Sequence, residues 1–363
     1  MFVHHWKIEM NIVIGILLFF ALFGAVDKIF LGKWGVAEAF DQGLATMGNL
    51  CLSMSGIYCI AITFLNGQAE VFRGWNDALP FDSSVLSGVL LAPDMGGFAI
   101  ADKIAGSDSL ALYSGLLLSS TLGCLVSFVL PIALGALDGE QTVFFLKGTL
   151  LGILTLPLGL IVGGVLLKID LVQVLQNLLP VVILCVILSC GLKFAPQKSL
   201  KVLSFLGNFL RIAGIVLALL LIFGVFFPAY TFVEDSLLAE SLVIVVKITV
   251  VVCGSMVAVH LALTYLKGTL RKISNLLGVN EFATVGLLIS LATSISMIPL
   301  FSSMDERGKK MNAAFCVSGA FCMGGQLAFV SSVSDSYVVG VYLICKLLGG
   351  VTAVFLVWMT DKN

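Results

Sequence analysis

The feature that most constrains this chain is a succession of apolar runs, each about 20 residues long, the length an α-helix needs to cross a bilayer core of roughly 30 Å. Only 11% of the residues are charged and 59% are hydrophobic, whereas a soluble domain carries about 25% charged residues. The chain therefore reads as an all-α polytopic integral membrane protein, one transmembrane domain over residues 1–363. Nine full spans are predicted, at 8–26, 42–65, 110–136, 143–167, 171–192, 202–227, 237–266, 311–333 and 336–358. Lys7 ahead of the first run suggests a signal peptide, but that run is long enough to span and no small-residue cleavage site follows. The net charge of −1 says nothing about nucleic acid, and with no basic patch or aromatic ladder no nucleic-acid partner is expected.

Two further apolar stretches, 84–104 and 281–301, are short and interrupted. The first contains Pro93-Asp94-Met95-Gly96-Gly97, which places a carboxylate at a break between apolar arms. Proline and paired glycines release backbone groups that a continuous helix would pair with itself. An aspartate at membrane depth costs roughly 2.5–3.5 kcal/mol on insertion scales, and such groups face a cavity or a polar path. A cationic ligand is the simplest compensation, and a helix cap at the interface is the plainer alternative. Between the second span and this break, Asn66–Ser84 is too polar to span and suits an interfacial segment anchored by Trp75.

Loop charges set the orientation. Lys193, Lys198 and Lys201 mark one loop, and Lys267, Arg271 and Lys272 another, while Glu234, Asp235 and Glu240 carry the loop between them. The basic loops are expected on the cytoplasmic side. Keeping the basic loop Asp305–Lys310 cytoplasmic as well requires 281–301 to enter and return as a re-entrant hairpin. The same count makes 84–104 a hairpin from the outside. Residues 66–136 and 273–333 then form an inverted repeat of hairpin plus following span, as in many secondary transporters.

The polar groups that could bind a substrate follow from that layout. Asp94 would be the counter-ion of an ammonium, with Met95, Gly96 and Gly97 giving backbone access and Phe98 a ring face for cation–π contact. In the second hairpin Thr293, Ser294 and Ser296 precede Pro299, and their hydroxyls either bind substrate or bond back to their own helix. Gly325 and Gln326 interrupt the penultimate span, where Gln326 suits a hydroxyl or amine, or a hydrogen bond between helices. Asn49, one turn from Ser53, is either site or helix glue. Lys247 is expected to snorkel, and His260 to lie near the cytoplasmic end of its span, a relay role being the less favoured reading.

The nine cysteines all sit in apolar runs without CxxC or Cys/His ligand spacing, so they read as small packing residues. No phosphate loop is present, and no Ser/His or HExxH arrangement supports an intramembrane enzyme. No cofactor and no metal is expected.

With these residues in view, the chain resembles the ethanolamine utilization permease family along essentially its whole length. The resemblance rests on Ala25–Ile29, Leu90–Phe98, Met304–Lys309 with Asn312–Phe315, and Lys346–Ala353. It marks a divergent member: Pro93 and Phe98 stand where the family usually has Asn and Tyr, and Gly325-Gln326 where it has Asp-His. Thr293-Ser-Ile-Ser-Met-Ile-Pro299 likewise replaces an Asn-Asn-Ile-Pro-Met pattern. The resemblance implies a bacterial inner-membrane permease for ethanolamine. The expectation is thus transport of a small cationic amino alcohol through a midplane site, with the lipid bilayer as surroundings and a homo-oligomer left open. A channel-like facilitator, or a transporter of another small polar solute, is the alternative, and a ligand sensor without flux a more distant one.

Overall fold

A computed structural model describes residues 12–51, 79–227 and 233–361, with single positions 55, 56, 59, 63, 74 and 230. Most of the Asn66–Ser84 segment, Trp75 included, and much of the 42–65 run lie outside the described residues. The described chain is helical. It begins with α1 (Ile12–Ile29) and α2 (Ala37–Leu50), then α3 (Ser84–Leu90), a 3₁₀ turn Pro93–Met95, and α4 (Gly97–Ile104). A long helix follows. It starts as α5 (Asp108–Leu112), takes the wide π-helical winding over Tyr113–Gly123 and Leu125–Val129, and ends as α6 (Leu130–Ala136). Next come α7 (Gly139–Leu166), α8 (Leu171–Phe194), α9 (Pro196–Phe226) and α10 (Asp235–Tyr265). The chain closes with α11 (Lys267–Leu277), α12 (Glu281–Ala292), a 3₁₀ segment Ile295–Ser303, α13 (Glu306–Ser318), α14 (Gly325–Val333) and α15 (Ser336–Thr360).

Six helices among the described residues are long and apolar enough to cross a membrane. The protein is a multi-pass membrane protein, and its apolar residues divide accordingly. Leu116, Leu117, Leu118, Phe145 and Phe329 are buried in the centre, whereas Phe205, Phe209 and Leu219 of α9 stay exposed, as a lipid-facing surface requires. Two segments differ from the sequence expectation. The interruption expected at Gly325 and Gln326 lies earlier, at Gly319–Gly324, and divides the run 311–333 into two helices, the second opening with Gly325 and Gln326. The basic stretch at 267–272 begins a helix of its own, α11, which buries Leu270 and Ser274, exposes Lys267, Arg271 and Lys272, and turns by 108° into α12. Charges spaced around apolar positions at helical period read as a loop when only their sign is counted.

Both interrupted stretches fold back on themselves. At the first, the Ser83 hydroxyl donates to the Ile104 carbonyl at 3.1 Å, and Asp82 accepts from the Gly106 N–H at 2.8 Å. At the second, the Asn280 N–H donates to Asp305 at 2.8 Å, and its side-chain amide to the Ser303 carbonyl at 2.8 Å. Each pair of arms is therefore latched at its base by an acidic residue accepting backbone N–H groups, a charge-assisted arrangement.

The long helix α7 serves as a ruler for where those bases lie. Lys309 and Lys310 sit over the Phe144 ring near its start, at 5.5 and 5.8 Å. Arg307 donates to the Trp358 carbonyl at 2.8 Å and Lys310 pairs with Asp361 at 2.6 Å, which joins the second base to the C-terminal end of α15. At the other end of α7, Tyr337 near the start of α15 bonds the Leu166 carbonyl. There α8 begins, and its Asn177 accepts from the Asp82 N–H at 2.7 Å. The two hairpins thus open at opposite ends of α7, with about 33 Å of helix between Phe144 and Leu166 at ~1.5 Å per residue.

The first hairpin lies so close to the π-wound helix that a side-chain carbon at Gly123 would sit 2.2 Å from the Leu91 carbonyl oxygen and 2.5 Å from that of Gly88. Gly123→Val should lower stability by about 1–3 kcal/mol, read as a drop in melting temperature of the detergent-purified protein. Gly139→Ala, where nothing lies within 4 Å, should leave it unchanged.

Candidate functional site

The first break owes its shape to Pro93 and Gly96. Leu91 and Ala92 are extended, Pro93 opens the 3₁₀ turn, and Gly96 takes φ 92°, a left-handed conformation that suits glycine. Leaving the helix frees backbone groups, and the π-wound helix supplies their partners. Ser119 donates to the Leu91 carbonyl, and the Ala92 N–H donates to Ser127 at 3.2 Å. Gly97 has no room for a side chain, since a Cβ there would fall 2.0 Å from the Ser119 oxygen.

The second break, Gly319–Gly324, is pinned from three directions. Its Phe321 and Met323 N–H groups donate to the carbonyls of Ser290 and Leu291 at 2.9 and 2.8 Å, at the end of α12. Its Met323 carbonyl accepts from Ser255 of α10, and its Phe321 carbonyl from Tyr342 of α15 at 3.1 Å. Phe321 is held at φ 61°, which costs an aromatic residue about 1–3 kcal/mol and persists only where its surroundings fix it.

The tips of both hairpins converge on this second break. The Ala292 carbonyl of α12 lies where a side-chain carbon of Gly324 would be, 1.9 Å away, while the Pro93–Met95 turn packs against α14. The Phe98 ring meets Phe329 of α14 edge to face, with centroids 6.0 Å apart, so its edge contact is already used within the protein. Asp94 is deeply enclosed yet keeps part of its surface accessible. No other residue's N–H or O–H is shown bonded to its carboxylate among the described residues.

The charge that answers Asp94 is one that the sequence reading passed over. Lys346, near the middle of α15, is 1% exposed and within electrostatic range of Asp94. Its ammonium donates to the Ser120 carbonyl at 2.6 Å and to Gln326 at 2.7 Å, and lies 5.6 Å from the centre of the Tyr342 ring. Lys346 lies inside an apolar run, where nothing local in sequence marks its charge as facing a distant carboxylate. A lone cation mid-span was the available signal.

The remaining expected site residues are distributed unevenly. Gln326 is buried beside Lys346, and Gly325 has room, since an added carbon would meet only Ile248 and Val252 at 3.5 and 3.7 Å. Met95 is half-buried and packed on the core. Thr293 accepts from the Ile295 N–H at 3.3 Å, which is the local bonding alternative, while Ser294 is buried and Ser296 exposed. These three lie at the tip of the second hairpin, and the Ile295–Ser303 segment packs on α12 and α6. Asn49 is helical within α2, with its side chain outside the described residues. Lys247 and His260 are exposed on α10. A cavity of about 270 Å³ lies at the base of the first hairpin, lined by Asp82, Ser107, Gln173, Gln176 and Asn177 among others.

Asp27 shows what a purely structural buried acid looks like here. It accepts three backbone N–H groups, from Trp34, Val36 and Ala37, at 2.7, 2.7 and 2.9 Å, and so fixes the turn between α1 and α2.

Broken helices, latched hairpins and an enclosed pair of opposite charges define a multi-pass membrane protein with a polar centre. The comparisons give the particular family. The family model described as "Ethanolamine utilisation protein, EutH" matches residues 10–359, and the chain belongs to that family. It is 33% identical to the "Probable ethanolamine permease EutH" of Listeria monocytogenes over 347 residues, covering 95% of this chain and 92% of the relative. Similar matches are the protein of the same name in Salmonella typhimurium, 32% identical over 95% of this chain and 93% of the relative, and YxeR of Bacillus subtilis, 31% identical over 97% and 95%. No solved structure matches.

Removing a serine that serves a break leaves a buried carbonyl unpaired, at a cost of about 1–3 kcal/mol. Ser119→Ala and Ser255→Ala should each lower the melting temperature of the purified protein accordingly, whereas Ser236→Ala, at an exposed helix start, should not.

Proposed function

We propose that the protein is a permease for a small protonated amino alcohol, ethanolamine first. The observation that carries this reading is the meeting of two hairpin tips, from opposite ends of α7, at a break beside an enclosed carboxylate. Half-buried acids at discontinuous helices are the arrangement by which many secondary transporters hold charged substrates near the bilayer midplane. The names of the relatives point to the same substrate class.

In this reading residues 66–136 and 273–333 form an inverted repeat, the basic base of the second hairpin faces the cytoplasm, and the protein resides in a bacterial inner membrane. The substrate's ammonium sits against Asp94, supported by the accessible backbone of Met95–Gly97 and by Phe98. Its hydroxyl finds Gln326, Thr293 or Ser294, with Gly325 giving clearance. The polar cavity at Asp82 and Asn177 is the outer vestibule. Alternating access follows from tilting of the two hairpins against the long helices, since each hairpin is latched to itself rather than built into a span.

Asp94→Asn keeps the shape and removes the charge. Labelled ethanolamine uptake into proteoliposomes should fall to background for this variant, compared at equal protein content in the vesicles. Undiminished uptake would remove the counter-ion role. Competition by unlabelled amino alcohols, and its absence with neutral diols, separates this reading from transport of another polar solute.

A further inference from the structure

Lys346 has two features that binding alone does not require. It is a cation fully inside the protein, and its nearest acceptors are neutral: the Ser120 carbonyl and the Gln326 side chain. An ammonium has three N–H bonds, two of which are used here, and the Tyr342 ring centre lies 5.6 Å from the nitrogen. The titratable groups within electrostatic range of it are the thiols of Cys124, between the two π-wound stretches, Cys322 at the second break and Cys345 on α15, and the carboxylate of Asp94, whose turn packs on the helix that carries Gln326. Asp94 is therefore its sole anionic partner among the titratable groups of the surrounding elements, thiols being neutral in their ordinary protonated form.

We propose that Lys346 is a tethered stand-in for the substrate's ammonium, which compensates Asp94 in the empty protein and gives up a proton when a cationic substrate takes that carboxylate. This rests on the permease reading above. One carboxylate answers one cation. A substrate ammonium drawn to Asp94 would leave two positive charges beside a single negative one, in an interior that screens them poorly. Loss of one proton restores neutrality. In that step an N–H bond of Lys346 breaks, its electron pair stays on Nζ, and the proton passes to water on the side to which the site is open. The neutral amine still donates to Ser120 or Gln326. When substrate leaves on the other side, Nζ takes a proton from water there and pairs with Asp94 again. The cycle exchanges one substrate cation for one proton and moves no net charge.

Ethanolamine binding to the detergent-purified protein can be followed by calorimetry in phosphate and in HEPES, buffers with different ionisation enthalpies. The wild-type protein should release about one proton per ethanolamine bound, seen as different heats in the two buffers. Lys346→Gln should bind with equal heats in both. In proteoliposomes the wild-type protein should take up ethanolamine several-fold faster with an acidic lumen, and should not respond to a potassium–valinomycin potential. Binding by the wild-type protein without proton release, or uptake driven by an inside-negative potential, would overturn the exchange while leaving the permease reading intact. An absence of ethanolamine binding by the wild-type protein would overturn both.

Discussion

The constraint from which the rest of this structure follows is that backbone groups freed inside a membrane protein must find partners within it. Each unpaired N–H or carbonyl in an apolar interior costs several kcal/mol. A chain that interrupts two helices in its centre must therefore bring hydrogen-bond partners to the gaps. At the first gap they come from Ser119 and Ser127 of the helix behind it. At the second they come from Ser255, Tyr342 and the end of α12. The serines and glycines of the central helices, which look unremarkable in a composition table, form the frame that lets two carbonyl-rich gaps exist side by side.

That frame also explains the unusual winding of the helix after the first hairpin. A π-helix is wider than an α-helix and packs its own backbone less well, so extended runs are rare and concentrate at functional places. Here the π-wound residues Tyr113–Gly123 are buried throughout. They carry the Ser119 hydroxyl that serves Leu91, the Ser120 carbonyl that accepts from Lys346, and the glycine that admits the first hairpin. The winding turns successive polar groups of one helix toward two different neighbours, the hairpin on one side and α15 on the other.

Much of this was legible in the sequence, for a physical reason. Proline, paired glycine and aspartate within an apolar run conflict with an uninterrupted helix, so the Pro93–Gly97 break announces itself, as does the interruption at Gly324. What stayed hidden depends on partners distant in sequence. Thr293 and Ser296 have the right chemistry for a site, yet nothing local distinguishes a hydroxyl that caps its own turn from one that meets a ligand, and Thr293 does cap. Lys346 was visible as a residue but not as a charge facing Asp94, because 252 positions of chain separate them. Helix α11 reads as a loop from the sign of its basic residues alone, and as a helix only from their spacing around Leu270 and Ser274.

The interior charges bear on how such a protein can remain both folded and able to move. A lone buried carboxylate would hold its surroundings closed only by finding a cation, and a lone buried lysine would do so only by finding an anion. Asp27 shows the static solution, in which three backbone N–H groups surround the carboxylate and leave no place for a guest. Asp94 is built differently. Part of its surface is accessible, and the cation within electrostatic range of it sits on α15. A carboxylate compensated through space by a group on a separate helix can exchange that partner without dismantling the turn that carries it. The contrast between these two acids in one chain separates an anchor from the position to which the proposed function assigns binding and release.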